Sequence, residues 1–564
     1  MTKRKRWGLL LMGALAAFGL VFAAACGDDD DDDGDSGSSG GEQTGKPGGS
    51  VTIGGVQFEN WDPHFSDFAQ DIAHFMMVWR GLYHLDTKDI PQPAMADGKP
   101  TVSADGKTYT VKLKKDLKWS DGQPLTAQDF VLGIQRTCNP DNAGHYQYIL
   151  TAIVGCDDYY GAAKKTPAEK DALLKAVGVR AVDATTVEYK LTDAQPTFPI
   201  LLALWPTFPV PKHKVSAVDA KWPGPLENVY NGPFMPKAYT EKANMELVQN
   251  PNWAGGSKAL LEKLTIKYID DDAVGTNAFR SNELDATTAS KAELDKLKTE
   301  FAKELQLYPA TRTTGIHMQL KDPTLAKQEV RFALSQSIDR VTLNKVVFKD
   351  SNIPTTSWMP PVRNGLKGGE YDAAIGFNVA KAKENLAKAG FPDGKGFPQL
   401  SLVIRDDATN KLLGEFLQAE WKKNLNIEIK LDVVDSKTRS AKFNKKEFQL
   451  FVGGWQEDYP DPENWLLGQF ETGGSLNKDD TSIPALDDVI NKAKFNTNDE
   501  QRRQQYRDAE KILVEQLGGM APMYHNAVAK LVRAHVKGMV ENKRPGDTFV
   551  PGEYYPEFWS TTKK

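Results

Sequence analysis

The stretch Lys118-Trp119-Ser120-Asp121-Gly122-Gln123-Pro124-Leu125-Thr126-Ala127-Gln128-Asp129-Phe130 carries the reading on which the fold turns. Asp121-Gly122 is a turn pair, because Gly tolerates the backbone angles that a tight reversal needs, and Pro124 stiffens the exit. Thr126 followed by Asp129 is a capping box: the Thr hydroxyl takes an orphan amide of the first helical turn and the Asp carboxylate reaches back to the Thr amide. The pattern predicts a helix over 127–137 with Cys138 at its end. On physical grounds alone this segment is scaffold.

Working outward, short strands and helices mix along the chain. Period-two alternation predicts strands at 51–53, 108–113, 177–182, 186–191 and 264–269, and an apolar helix is expected around 72–83. The proline-rich stretch 196–211 reads as loop or edge structure. The later half is more regular, with a strand at 400–405, a helix at 409–425, a strand at 427–434 and a strand at 448–455. A helix between strands points to a parallel crossover unit, so the fold class is α/β. Asn378 caps a helix that Gly390 ends, and 484–494 and 500–517 read as amphipathic helices.

A chain of 564 residues exceeds a single core and implies about three or four folding units. It opens with Lys3, Arg4, Lys5 and Arg6, continues with an apolar run over 7–25, and reaches Ala23, Ala24 and Ala25 just before Cys26. This is the layout of a secretory signal over 1–25. A cysteine after small residues resembles the bacterial lipobox, which implies that Cys26 is lipid-modified and becomes the first mature residue. Ala23 departs from the usual leucine, and ordinary cleavage or a retained single anchor are the alternatives. Residues 27–50 hold eight acids and one lysine among Gly and Ser, too little apolar surface to fold, so 26–50 is expected to be a tether. Within it, Gly37, Ser39 and Gly41, and Asp29, Asp31, Asp33 and Gly34, imitate catalytic and calcium motifs without their structural context.

With the tether and signal set aside, the remainder is close to neutral and shows no basic stripe interleaved with aromatics, which argues against nucleic acid as a partner. The eight histidines include no H-E-x-x-H; His64, His74 and His84 lie ten apart, and no Walker loop occurs. No catalytic set, metal site or cofactor is therefore assigned. Cys138 and Cys156 form an even pair in an exported chain and are expected to be bridged, stabilising the fold by about 3 kcal/mol.

The opening stretch also closely resembles the W-S-D-G-x-P-x-T-A-x-D-F signature of the family-5 extracytoplasmic solute-binding proteins, among them the oligopeptide- and dipeptide-binding proteins. Further matches follow in that family's order: Trp61-Asp62-Pro63, Gly81-Leu82, Asn231-Gly232-Pro233-Phe234, Asn250-Pro251-Asn252-Trp253, and Val330-Arg331-Phe332-Ala333-Leu334 through Ile338-Asp339-Arg340. Gly454-Trp455-Gln456-Glu457-Asp458-Tyr459-Pro460-Asp461-Pro462 is similar to the G-W-x-x-D-Y-x-D/E-P segment of the oligopeptide binders. The resemblance covers about residues 48–560.

The resemblance implies a two-lobed periplasmic-binding-protein-like fold of the class II type, with an extra domain inserted in the N-terminal lobe. Its expected parts are an N-terminal lobe core of 51–88, 200–312 and 530–564, an extra domain of 89–199, and a C-terminal lobe of 313–529. Crossing strands near 313–320 and 522–532 should form the hinge. The implied function is capture of short peptides by a monomeric, lipid-anchored protein on the outer face of the cell membrane, which delivers them to ABC transporter permease subunits. Asp458 is the counterpart of the acid that pairs with a peptide α-ammonium, a group every peptide shares. Trp455 is expected to wall the ligand, and the backbone of Gly454 and Gln456 to pair with it as an added strand. A second strand is implied near 67–70, with Asp67 and Ala69 as contacts, and Tyr146 and Tyr148 occupy a ligand-contacting region. Asp461 and Asn464 read as turn and cap residues. A non-peptide solute such as an oligosaccharide, metal chelate or haem on the same scaffold, or a hydrolase or sensory lipoprotein, are the competing readings.

Overall fold

The computed structural model describes residues 45–216, 221–365 and 369–563. The signal sequence, Cys26 and most of the tether lie outside them.

Eleven strands form one sheet. Across it run Ile429–Val434, Leu400–Arg405, Leu450–Gln456, Leu305–Met318, Met520–Val532, Ala286–Thr288, Ser50–Gly55, Lys263–Tyr268, Asn244–Gln249 and Phe234–Thr240, with Ile353–Pro354 added beside Met520–Val532. The expected crossover unit is present: Leu400–Arg405 and Ile429–Val434 are parallel neighbours joined by the helix Ala408–Leu425. Asp407 caps that helix by accepting the Asn410 amide at 2.9 Å, and Asn426 ends it in the left-handed conformation.

Two large apolar cores flank this sheet. The first gathers Trp61, Phe75, Trp79, Trp119, Phe130, Trp205, Ile266, Val550 and Trp559. The second gathers Ile316, Leu334, Trp358, Leu402, Trp421, Leu450, Trp465 and Tyr506. The strands Leu305–Met318 and Met520–Val532 pair antiparallel from Leu305 opposite Leu531 to His317 opposite Met520, with register shifts at Pro309/Thr313 and Thr314/Gly315. These two strands carry the chain between the cores: Ile316, Met318 and Met520 pack in the second, and Val532 in the first.

A separate four-stranded sheet, in the order Thr101–Val102, Thr108–Lys112, Thr186–Lys190, Val179–Asp183, packs against the helix Ala127–Thr137. The Thr126 amide donates to Asp129 Oδ2 at 2.7 Å, and both halves of the capping box are present. Cys138 caps the helix end and is bonded to Cys156, with Cα atoms 5.2 Å apart. Between the two cysteines lies the 3-10 helix His145–Leu150.

The motif residues before and after this unit are largely structural. Asp62 receives Arg136 at 2.5 Å inside the first core. Asn231 exchanges hydrogen bonds with both backbone groups of Arg80 at 3.1 and 2.8 Å. Gly232 lies so near Val78 that a Cβ would fall 2.4 Å from its carbonyl carbon. Arg331 donates to the Leu517 carbonyl at 2.7 Å and Arg340 to that of Pro522 at 2.8 Å, satisfying backbone oxygens that burial would otherwise leave unpaired.

Three elements differ from expectation. The helix expected at 72–83 is Ala69–Val78 and stops where Asn231 takes the Arg80 backbone, leaving Tyr83–Leu85 free to form a strand. The stretch 196–211 holds two helical turns, Phe198–Leu201 and Trp205–Thr207. No strand forms at 67–70, because the Asp71 carboxylate collects the amides of Glu59 and Asn60 and the Ser66 hydroxyl at 2.7, 2.9 and 2.5 Å. That gathers the chain against the first helical turn, and Phe68 becomes the helix N-cap.

Candidate functional site

The strand Leu450–Gln456 is hydrogen-bonded along its length to Leu305–Met318, from Leu450 opposite Met318 to Gln456 opposite Arg312. On its other side Leu400–Arg405 pairs only with Leu450 and Phe451. Among the described residues no strand covers that second edge from Val452 to Gln456; Arg439 donates to the Val452 carbonyl at 2.5 Å. Gly454 is dictated by close approach, since a Cβ there would sit 2.1 Å from the Thr313 carbonyl oxygen.

Beyond the strand the chain turns. The Glu457 amide donates to the Thr311 carbonyl at 2.9 Å, and the next residue is Asp458. One amide side chain, Asn464 in the short helix Glu463–Leu466, arranges everything around it. Its Oδ1 accepts from Trp455 Nε1 and from the Asp458 amide, both at 2.9 Å. Its Nδ2 donates to the Tyr148 hydroxyl and to Asp458 Oδ2, both at 3.4 Å. The Tyr146 hydroxyl donates to the same Asp458 oxygen at 2.8 Å. Tyr146 and Tyr148 have ring centroids 5.5 Å apart, and Tyr146 leans on Trp205 at 4.6 Å.

Asp458 faces a narrow cavity of about 20 Å³, room for about one water molecule, that also meets Met76, Arg80, Leu204, Arg544, Tyr554 and Tyr555. Burial pushes the Asp458 carboxyl up to about 7. The hydrogen bonds from Tyr146 and Asn464 oppose that rise, and the charges of Glu457 and Asp67 add to it. No ion pair to Asp458 occurs among the described residues. A desolvated carboxylate held by two neutral donors is a receptor for a cation that can bring its own charge.

Glu457, one residue away, is satisfied differently. Arg363 binds it through Nε and a terminal nitrogen at 2.5 and 2.6 Å, and Trp465 Nε1 donates at 3.1 Å. Arg363 also reaches Asp89 at 2.6 Å, and Asp89 receives Arg544 at 2.5 Å. Asp461 and Glu463 are held by Arg502, at 2.5 and 3.0 Å.

Of the residues expected at the site, Asp458 and Tyr146 are in direct contact, Tyr148 and Trp455 meet them through Asn464, and Gly454 and Gln456 lie on the uncovered edge. Asp67 accepts from His145 at 2.5 Å beside Tyr146 and acts on Asp458 through its charge. Ala69, at the first position of its helix, belongs to none of these hydrogen bonds. Asp461 is the turn residue it was read as, since its Oδ1 accepts the Glu463 amide at 2.9 Å. Asn464, read as a cap, is the organiser of the site; its partners lie at Tyr148 and Trp455, where no local pattern announces them. Arg363, Asp89 and Arg544 were missed for the same reason.

Comparisons with known proteins identify the family and the fold. Residues 91–477 match the family described as bacterial extracellular solute-binding proteins, family 5 Middle. The periplasmic oligopeptide-binding protein OppA of Escherichia coli is 28% identical over 512 residues, covering 89% of this chain and 92% of that protein. Among solved structures, the oligopeptide-binding protein OppA of Listeria monocytogenes bound to peptide superposes with a TM-score of 0.78 at 25% identity, over 92% of this chain and 100% of that one. The murein tripeptide-binding protein MppA of E. coli gives a TM-score of 0.80 at 25% identity, over 92% and 99% of the two chains. Its unliganded open form gives 0.66 over the same shares. The fold is the mixed α/β periplasmic-binding-protein fold of these relatives, and the chain belongs to the family 5 bacterial extracellular solute-binding proteins.

Proposed function

We propose that this protein is the peptide-binding component of an ABC importer, a non-enzymatic extracytoplasmic receptor that takes short peptides between two lobes built on the two cores. The lobes are drawn as 51–88, 200–312 and 530–564 against 313–529, with 89–199 as an added domain. The observation that carries the reading is Asp458, a buried carboxylate on a cavity wall, without a cationic partner among the described residues, at the end of a strand with one open edge.

A peptide laid along Val452–Gln456 satisfies the amide groups of that edge whatever its side chains, and its α-ammonium meets Asp458. Trp455, held by Asn464, offers an apolar wall that discriminates little between side chains. Tyr146 and Tyr148 fix the carboxylate, and Asp67 adds negative potential beside it. Closure around the ligand follows because only the closed form lets it touch both sides of the cleft, so differential affinity shifts the population. Lipid attachment at Cys26 and delivery by a monomer to the permease subunits complete the reading. Loss of fatty-acid labelling on Cys26→Ala tests the anchor.

The deciding experiment is calorimetry of the mature protein with di- to hexapeptides, their N-acetylated copies and an Asp458→Ala variant. Heat from free-amine peptides that acetylation or the substitution abolishes supports the proposal. Heat from no peptide transfers it to a non-peptide solute on the same fold.

A further inference from the structure

Many contacts join the two cores, yet among the described residues one ion pair does so. Asp89 sits in the turn between Tyr83–Leu85 and Pro91–Pro93, flanked by the first-core residues Leu85 and Met95. Arg363 follows Trp358 and Met359 of the second core, in the short helix Pro361–Asn364. Their atoms meet at 2.6 Å, with side chains only 11% and 18% exposed.

Each partner is also held by its own side. Asp89, in the left-handed conformation at φ 65°, receives Arg544 Nε at 3.2 Å and its terminal nitrogen at 2.5 Å. Arg544 belongs to the first core's stretch between Met539 and Phe549. Arg363 is clamped across both oxygens of Glu457. Such fixation removes most of the side-chain entropy that makes an exposed pair worth little, and burial removes salt screening. Glu457 is also the residue before Asp458, so the arm that receives the ligand and the arm that holds Arg363 are one stretch of chain. The structure superposes on MppA with a TM-score of 0.80 and on the unliganded open form of MppA with 0.66.

We infer that Asp89 and Arg363 form a closure latch, an ion pair made across the cleft as the lobes come together that slows release of the captured ligand. The inference rests on the peptide-binding reading for its kinetic test but not for its structural one. Neither Asp89 nor Arg363 lines the cavity that Asp458 faces, so the latch sets residence time and leaves peptide selection to the cavity's own lining.

The test uses the mature protein, Asp89→Asn, Arg363→Gln and the double variant, with tetraalanine as the probe. Each single variant is expected to release tetraalanine about tenfold faster, and the double variant clearly less than the product of the two effects, because the shared ion pair is lost only once while the bonds to Arg544 and to Glu457 are lost separately. Small-angle scattering of the peptide-free proteins reads closure without a ligand: the variants are expected to have the larger radius of gyration. Additive effects in the double variant, or unchanged release with unchanged radius, overturn the latch. If tetraalanine fails to bind the unaltered protein, the peptide reading is what falls, and the scattering result alone decides the latch: a larger radius upholds it and an equal one overturns it.

Discussion

Residues 118–130 and residues 454–464 are of similar length and equally rich in polar and aromatic side chains, yet they are held in opposite ways. In the first, the decisive bonds join neighbours: Thr126 and Asp129 are three residues apart, and the Gly122 amide returns to the Trp119 carbonyl at 2.9 Å. In the second, Tyr146 reaches Asp458 across 312 positions, Tyr148 reaches Asn464 across 316, and Arg363 reaches Glu457 across 94. A segment closed by local bonds forms scaffold whatever surrounds it. A segment whose partners are distant acquires its chemistry only when the chain has folded, and its carboxylate can be left without a cationic partner for a ligand to use.

The sharpest way to break this comparison is Asp458→Ala, which should lower affinity for free-amine peptides by about 30- to 5,000-fold, read by calorimetry, because a desolvated charge pair is worth about 2 to 5 kcal/mol. Little loss of affinity would remove Asp458 from recognition.

Next in size is the double replacement Cys138→Ser and Cys156→Ser. Opening the loop between them should cost about 3 kcal/mol of stability in a denaturant melt. The loop also carries Tyr146 and Tyr148, so affinity should fall with stability; a stability loss with unchanged affinity would show that the tyrosines are positioned by Trp205 and the second core instead.

A third prediction concerns pH. The Asp458 carboxyl lies at about 7 in the peptide-free protein and must be ionised to hold an ammonium. Affinity should therefore peak between about pH 7 and 8, fall by up to tenfold per unit as pH drops below 7, and fall again above about pH 8 as the peptide's own α-ammonium loses its proton. The sign for stability is opposite. A carboxyl raised on folding binds a proton more readily in the native than in the unfolded state between about 4 and 7, so its contribution to stability declines as pH rises through that window. Asp458→Asn should flatten both profiles and raise the melting temperature of the peptide-free protein at pH 8.

The smallest expected effect sharpens the contrast from the scaffold side. Thr126→Ala removes a capping box and should cost about 1 kcal/mol of stability with affinity unchanged, since none of the site's hydrogen bonds passes through it.

The sequence was informative wherever the cause of a structure lay within a few residues. Capping boxes, turn pairs and alternation located the helix Ala127–Thr137 at its observed ends and placed the strands Leu400–Arg405 and Thr186–Lys190 within a residue or so. The family motif singled out Asp458 and Trp455. The helix start at Ala69 was misplaced because Asp71 draws in Glu59 and Asn60, a choice among polar partners that periodicity does not encode. The role of Asn464 was underrated because half of its four partners are side chains distant from any capping position.

By itself, then, the amino-acid sequence determined the α/β class, most elements, the pairing of Cys138 with Cys156 and the carboxylate at the motif's centre, because backbone hydrogen bonds, caps and side-chain alternation act over short spans. Only the tertiary structure decided which hydroxyls and amide hold that carboxylate, that Glu457 beside it is taken by Arg363, and that Asp89 meets the same arginine from the other core. Those bonds depend on topology bringing together residues hundreds of positions apart, and burial then sets their strength.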